Sequence, residues 1–150
     1  MAALEQQLFA NGLPVEALME KAALALTAAL RRDWGDQLAR AGAVVLVGPG
    51  HNGGDGLVIA RELHLAGLAV AIWSPFERHK PLTAAHLRHA RWLGIEVLPI
   101  PPDPAGPALW IDALFGIGQS RPLSEPLAEL LRQRQTLQPG GLVAIDVPSG

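Results

Sequence analysis

The sequence contains no cysteine. This absence excludes disulfide frameworks, thiolate nucleophiles and cysteine-ligated zinc or iron–sulfur centres, so catalysis would have to use carboxylates, histidines, hydroxyls, backbone groups or a bound ion. The sequence also has no uninterrupted apolar run of about 18 residues, the length that a membrane-spanning helix needs. Its first residues lack the basic and then apolar pattern of a secretory signal. We therefore expect a cytoplasmic protein with no membrane partner.

Strong charge of either sign is absent too. The formal net charge is −2 at pH 7, which gives no long-range field that would attract phosphate backbones, and no basic stripe is interleaved with aromatic residues. Nucleic acid is therefore not an expected partner. Hydrophobic residues, in contrast, make up 49% of the chain and charged residues 17%, proportions that exclude intrinsic disorder. A length of 150 residues predicts one folded domain.

Short apolar segments alternate along the chain with segments of helical periodicity. Strands are predicted at residues 43–48, 69–73, 96–100, 108–112 and 142–146. Helices are predicted at residues 15–32, 57–67, 83–94 and 124–137, the last with Ser124 as its N-cap. The five prolines between residues 99 and 107 exclude regular structure there. Apolar strands that alternate with helices predict an α/β fold with a mainly parallel sheet covered by helices on both faces.

The same periodicity predicts which side chains face the interior. The inner face of the helix at 15–32 is predicted to consist of Leu18, Ala22, Ala25 and Ala29. The inner face of the helix at 83–94 is predicted to consist of Ala84, Leu87 and Ala90. Four histidines lie on polar arcs or in a basic turn and are predicted at the surface: His64, His79, His86 and His89.

Three polar loops that contain glycine follow three of the predicted strands. They comprise residues 48–56, 112–123 and 146–150, and each supplies an aspartate. Because the carboxyl ends of parallel strands lie at one edge of the sheet, where such folds bind ligands, these loops are expected to converge. The sequence therefore predicts a functional site built from all three.

The first of these loops matches a glycine pattern of nucleotide-binding proteins, but imperfectly. Residues Gly48 to Gly53 satisfy G-x-G-x-x-G after a strand, yet Pro49 removes an amide donor and Asp55 places a carboxylate where a phosphate would lie. The position about 20 residues on, where a ribose-binding acid is expected, falls near Ser74. An ordinary NAD-dependent dehydrogenase is thus disfavoured. The alternative for this loop is a tight turn with Asp55 capping the next helix.

Two aspartates, Asp112 and Asp146, each end an apolar strand, where an unpaired carboxylate would be costly. The functional interpretation is a hard cation or a general acid and base. The alternative is that loop amides satisfy both carboxylates, those of Gly116, Gly118 or Gly150. Asn52 and Ser149 would add neutral oxygens, a donor set that suits a weakly charged cation better than zinc.

Four segments, taken together and in order, resemble one known family. They are GLPVEALMEKAALAL, VVLVGPGHNGGDGLVIARELHLAG, LWIDALFGIGQSRPL and VAIDVPSG, and they resemble the NAD(P)H-hydrate epimerase family, the YjeF N-terminal domain. The resemblance implies a Rossmann-like three-layer α/β/α domain, usually a homodimer, that interconverts the R and S hydrates of NADH and NADPH. This is an isomerase activity of metabolite repair.

The resemblance also implies roles for individual residues. The hydrated dinucleotide would be contacted by His51, Asn52, Gly53, Gly54, Asp55, Gly116, Ile117, Gly118, Gln119, Ser120, Arg121, Pro122 and Asp146. A potassium ion would take oxygens from Asn52, Asp112 and Ser149. The proton-transferring group would be Asp146, with Asp55 as second candidate. The chain departs from the family in having His51 where Asn is common, and MEKAA at 19–23 where Met-Glu-Asn-Ala-Gly is common.

Two other functions stay open on the sequence alone. The same domain type resembles non-catalytic dimerisation scaffolds of mRNA decapping, although the three loop aspartates, Asp55, Asp112 and Asp146, favour an enzyme. Bacterial relatives implied by the resemblance are often bifunctional, with a fused ribokinase-like, ADP-dependent dehydratase. Because the sequence stops at Gly150, within the third loop, we expect it to be the front part of an epimerase module without its last strands.

Overall fold

The computed structural model describes residues 2–116, 122–146 and 149. Within these ranges the helices are α1 (Ala2–Ala10), α2 (Val15–Ala41), α3 (His51–Leu65), α4 (Pro81–Trp92) and α5 (Glu125–Leu137). The strands are β1 (Ala43–Val47), β2 (Val70–Trp73), β3 (Glu96–Val97), β4 (Leu109–Ala113) and β5 (Leu142–Ala144). No helix in the described part of the chain has the length and apolarity needed to cross a bilayer.

The strands form one sheet in the order β3-β2-β1-β4-β5, and each described pairing is parallel. The chain builds outward from β1 to β2 and β3, then returns to place β4 on the other side of β1. At such a reversal the loops that leave the two central strands diverge, which opens a crevice beyond their carboxyl ends. The predicted α/β class is confirmed, and the crevice lies between β1 and β4.

The central strand β1 is apolar throughout because it is covered on both faces. Val45 and Val47 belong to a core shared with α2, α3 and α4, whereas Val44 and Leu46 pack in a second core with Trp110 and α5. Alternate residues of a strand point to opposite faces, so both sets must be hydrophobic. The three-layer arrangement predicted from the sequence is therefore confirmed.

Helix α2 is longer than predicted and turns a different face inward. Its buried side chains are Met19, Ala23, Thr27, Leu30 and Leu38, so the predicted face of Leu18, Ala22, Ala25 and Ala29 is wrong. The error arises because the apolar residues of this alanine-rich helix fit more than one stripe. The polar Thr27 can be buried because its hydroxyl donates to the Ala23 carbonyl at 2.8 Å.

Three further expectations need correction at element ends. Helix α4 begins at Pro81 and buries Thr83 rather than Ala84, because proline suits the first turn of a helix. Strand β3 has two residues instead of five, since Pro99 lacks the amide that would continue the ladder. Ser124 occupies the N-cap position of α5, but its side chain makes no capping hydrogen bond. Helix α1 was not predicted at all.

An arginine secures the edge of the sheet opposite the crevice. Arg134 of α5 is fully buried and stacks on the Trp110 ring, with its guanidinium carbon 4.7 Å from the ring centroid. Burial lowers the pKa of this guanidinium. Its donors bind the backbone carbonyls of Pro104, Gly106, Ala108 and Gly141.

Candidate active site

The first glycine-rich segment is mostly helical rather than a loop. Helix α3 begins at His51, with Gly50 as its N-cap and no side-chain cap, so the prediction of a loop to residue 56 and a helix from 57 is wrong. The alternative in which Asp55 caps the helix is wrong as well. Glycine occurs in this helix because of packing, as the next contacts show, and not because the chain must turn.

Close backbone contacts require glycine at both ends of this segment. A Cβ on Gly53 would overlap the Gly48 carbonyl, and a Cβ on Gly48 would overlap the Leu114 carbonyl. A Cβ on Gly54 would lie 2.7 Å from Cε of Met19 in α2. The Gly48 amide also donates to the Ala113 carbonyl at 3.0 Å. The start of α3 is therefore pressed against the loop after β4, as the predicted convergence requires.

Asp112 lies at the base of the crevice and is 2% exposed. Its Oδ1 accepts hydrogen bonds from the Ser149 hydroxyl at 2.7 Å and the Leu114 amide at 3.1 Å, and its Oδ2 accepts one from the Ser149 amide at 3.0 Å. The Ser149 hydroxyl in turn accepts from the Phe115 amide at 3.2 Å. Loop amides thus do satisfy this carboxylate, and those described are the amides of Leu114 and Ser149. Of the glycines considered for this role, Gly118 and Gly150 lie outside the described residues. The Asp112–Ser149 pair joins the second and third loops.

A second junction lies where Asp146, Gly116 and Asn52 meet, here called the Asn52–Asp146 site. A Cβ on Gly116 would lie 2.6 Å from Oδ2 of Asp146 and 3.5 Å from Cγ of Asn52. The carboxylate therefore occupies space that is open only because residue 116 has no side chain. One residue from each of the three predicted loops contributes to this site, which confirms their convergence.

The Asn52 amide is a polar group of this site whose donor meets no acceptor in the described part of the chain. Its Nδ2 atom is buried and has no hydrogen-bond partner among the residues that the structure describes. A buried amide nitrogen without an acceptor costs about 1–3 kcal/mol. The Asn52 amide can therefore donate to a bound molecule or, if the amide is flipped, offer its oxygen to a cation.

His51 and Asp55 lie on a different side of α3 from Asn52. Together with α1 and α2 they line a small pocket of about 100 Å³. Its other lining residues are apolar: Phe9, Val15, Leu18, Met19 and Ala22. The structure thus places Asn52 at the Asn52–Asp146 site and His51 and Asp55 at the small pocket. Gly53 and Gly54, also predicted to contact the ligand, are buried and pack against Gly48 and Met19.

The stretch predicted to contact the dinucleotide after β4 is described only at its ends. Gly116 belongs to the Asn52–Asp146 site, and Pro122 is exposed. The predictions for Ile117, Gly118, Gln119, Ser120 and Arg121 lie outside the described residues.

Sequence reasoning missed a group of residues behind the glycine turn. His79 was predicted at the surface, but it is half-buried and its Nε2 lies 2.8 Å from the Ser74 hydroxyl. Burial lowers the pKa of His79, and the nearby Arg91 charge adds to this effect. Thr83 is fully buried and its hydroxyl donates to the Gly50 carbonyl at 2.7 Å. A threonine among the inner-face positions of a helix was the available signal.

Helix α2 is tied to α3 by an ion pair close to the small pocket. Arg61 donates to both carboxylate oxygens of Glu20 at 2.7 and 2.8 Å and also binds Glu62 at 2.8 Å. The Arg61 guanidinium lowers the pKa of Glu20, and the hydrogen bonds to Glu20 and Glu62 raise the pKa of Arg61 against the effect of its burial. His86, also predicted at the surface, is half-buried, and burial lowers its pKa.

Comparison with known proteins gives consistent matches over nearly the whole chain. Three relatives named bifunctional NAD(P)H-hydrate repair enzyme Nnr, from Gloeobacter violaceus, Thermosynechococcus vestitus and Synechocystis, are 49%, 45% and 44% identical over 98–100% of this chain, which spans only 28–29% of their length. A protein of Limosilactobacillus fermentum named NAD(P)H-hydrate epimerase is 39% identical over 93% of this chain and 66% of its own.

A solved structure and a family model complete the comparison. The crystal structure of a yeast protein, YNL200c, superposes with a TM-score of 0.82 at 28% identity and covers 99% of this chain and 68% of its own. The family model described as YjeF-related protein N-terminus matches residues 15–150. The chain therefore belongs to the YjeF-related N-terminal family.

Proposed function

We propose that this domain interconverts the R and S forms of hydrated NADH and NADPH, as an isomerase of nicotinamide nucleotide repair. The names of the relatives support this activity, and they favour it over the non-catalytic scaffold alternative. The observation that carries the proposal is the Asn52–Asp146 site. There, at the crevice of the sheet, a carboxylate meets a buried amide whose donor has no acceptor among the residues described.

The substrate's own chemistry defines what the site must do. In the hydrate, a hydroxyl is bonded to the ring carbon next to the ring nitrogen, and the nitrogen lone pair can expel it. The carbon–oxygen bond breaks as the hydroxyl takes a proton and leaves as water, and the ring becomes a planar iminium. Water then adds to either face and gives up a proton. Epimerisation thus needs one group that donates a proton and takes one back.

Asp146 is the first candidate for this group. Protonated, it would donate to the leaving hydroxyl, and as the carboxylate it would accept the proton of the entering water. Its Oδ2 lies in the space that Gly116 leaves without a side chain, and the residue is exposed at the crevice, where a ring could approach. The Asn52 Nδ2 donor would hold the ligand against this carboxylate. Asp55, the second candidate, lines the small pocket with His51 and is assigned to ligand contact there.

The start of α3 suits the phosphates of the dinucleotide. A helix N-terminus carries partial positive charge and orients its first amides outward. Here the N-cap is Gly50, without a side-chain cap, and it directly precedes the residues of the proposed site. Phosphates held there would fix the distance between the nicotinamide ring and Asp146. Phosphate binding would thereby orient the ring for reaction.

The residues present also fit a potassium ion by the chemistry of their donors. Asn52 and Ser149 offer neutral oxygens and Asp112 a single carboxylate, a set suited to a weakly charged ion. The Ser149 hydroxyl proton points to Asp112, which leaves an oxygen lone pair for a cation. When bound, the ion would supply positive charge near the phosphates. Asn52, Asp112 and Ser149 would hold it, one side chain from each of the three loops.

We further propose the setting in which the domain acts. The implied state is a cytoplasmic homodimer. The relatives of 44–49% identity are bifunctional repair enzymes of which the chain spans 28–29%, which supports the domain as the epimerase module of such an enzyme, next to a dehydratase.

The test is direct. The full-length protein is mixed with pure R-hydrate of NADPH, with and without potassium, and the S-hydrate is followed by chiral chromatography. The proposal predicts that S-hydrate forms far faster than in the protein-free control. No acceleration under either condition would overturn it.

A further inference from the structure

The turn between β1 and α3 is held from behind by the segment between β2 and α4. The Ser74 hydroxyl donates to the Val47 carbonyl at 2.8 Å, and the Lys80 amide donates to the Pro49 carbonyl at 2.8 Å. The Thr83 hydroxyl donates to the Gly50 carbonyl at 2.7 Å. Three carbonyls at this one turn are thus held by a neighbouring segment, whose residues Ser74, His79, Lys80 and Thr83 we call the turn clamp.

Thr83 acts where α3 begins. Its hydroxyl is fully buried and holds the carbonyl of Gly50, the N-cap of the helix. The same Oγ1 atom lies 3.2 Å from the position that a Cβ on Gly54 would occupy. The Gly50 carbonyl also accepts the Gly54 amide at 3.2 Å, so Thr83 and the first hydrogen bond of the helix hold it together.

His79 and Ser74 form a chain of two hydrogen bonds that ends at the last residue of β1. A hydroxyl has one proton, and the Ser74 proton is given to the Val47 carbonyl. His79 must therefore be the donor in its 2.8 Å contact with Ser74, through Nε2–H. The half-buried imidazole thus fixes the rotamer of Ser74, which in turn fixes the last peptide of β1.

We propose that Thr83 and the Ser74–His79 pair are positioning residues for ligand binding at the start of α3. They lie behind the turn and hold its carbonyls, so that Asn52 and the first amides of α3 face the crevice. This inference rests on the proposed function, because it takes the ligand to be a dinucleotide. It assigns to the β2–α4 segment, a basic turn in the sequence, a role that the sequence analysis did not predict.

The first experiment measures NADPH binding to the full-length protein by calorimetry. Thr83→Val keeps the shape and removes the donor, and we expect the dissociation constant to rise about tenfold. Thr83→Ser, which keeps the hydroxyl, should bind within about twofold of the wild type. Thr27→Val is the matched control, since Thr27 is also buried and its hydroxyl also donates to a carbonyl, but within α2.

The second pair of variants tests the Ser74–His79 hydrogen bond independently of Thr83. His79→Gln retains an amide that can donate to Ser74, whereas His79→Leu removes the donor. We expect NADPH binding to weaken in His79→Leu and not in His79→Gln. Both variants should unfold at similar temperatures. This pair decides the matter if Thr83→Val does not fold.

The inference is overturned if Thr83→Val and Thr27→Val bind NADPH alike, or if His79→Gln is as weak as His79→Leu. A wild-type protein that binds NADPH but does not epimerise the hydrate would overturn the proposed function instead. The binding series would then still decide the positioning role.

Discussion

At the scale of single residues, the site depends on what glycine leaves open. Gly116 lacks the Cβ that would reach Oδ2 of Asp146, and the helical glycines of α3 allow backbone and side chains to approach from neighbouring elements. The buried Asn52 donor without a partner in the described ranges is a cost that a ligand would offset. We therefore expect the smallest substitutions to have large effects here.

A side chain at residue 116 should slow epimerisation by displacing the Asp146 carboxylate. Gly116→Ala places a methyl group 2.6 Å from the Asp146 carboxylate, so the carboxylate must move, and we expect epimerisation to slow about 100-fold. Gly35→Ala is the control, because a Cβ there meets nothing within 4 Å. Equal epimerisation rates in the two variants, measured with pure R-hydrate, would show that the carboxylate does not need this space.

At the scale of elements, two arginines hold helices in place in different ways. Arg61 pairs with the carboxylate of Glu20 and so joins α3 to α2. Arg134, in its described contacts, binds backbone carbonyls and an aromatic ring and joins α5 to the sheet. The first contact is partly exposed and titrates, and the second is buried and does not. Their contributions to stability should differ in size and in pH dependence.

Loss of the buried arginine should destabilise the fold strongly. Arg134→Met removes the guanidinium donors of four backbone carbonyls and the stacking on Trp110, and we expect a loss of about 3 kcal/mol or more in the free energy of unfolding. Arg132→Met is the matched control on the same helix, since its ion pairs with Glu125 and Glu129 are exposed, and it should cost under about 1 kcal/mol. Urea unfolding of the two variants measures the difference, and equal midpoints would refute the role given to Arg134.

The Glu20–Arg61 pair should stabilise the protein only above acidic pH. Arg61 lowers the pKa of Glu20 in the folded state below its ordinary value of 4.5, so the unfolded state binds the proton first. The stabilisation is therefore present above about pH 4.5 and is lost as pH falls through the folded pKa. The difference in unfolding free energy between wild type and Glu20→Gln should shrink on acidification. In an Arg61→Met background the same substitution should show no such trend, and a trend that persists would point to another partner.

At the scale of the whole molecule, the sequence predicted the architecture better than the detail of the site. Strands such as β1 and β4 could be recognised because burial on both faces requires unbroken apolar runs, and the aspartates at strand ends marked the correct edge. The start of α3 could not be predicted, because glycine normally signals a turn, and only the approach of Gly48 and Met19 explains glycine within a helix. The half-buried His79 was missed because its partner Ser74, in the same segment, is itself held by the Val47 carbonyl of β1, a contact that local spacing does not show.

The most direct measurement compares wild type with Asp146→Asn for conversion of pure R-hydrate to S-hydrate, alongside NADPH binding. The amide retains the shape of the side chain but cannot exchange the proton. We expect the epimerisation rate to fall about 100-fold or more while NADPH affinity stays within about twofold. Full epimerisation by Asp146→Asn, with binding intact, would contradict it.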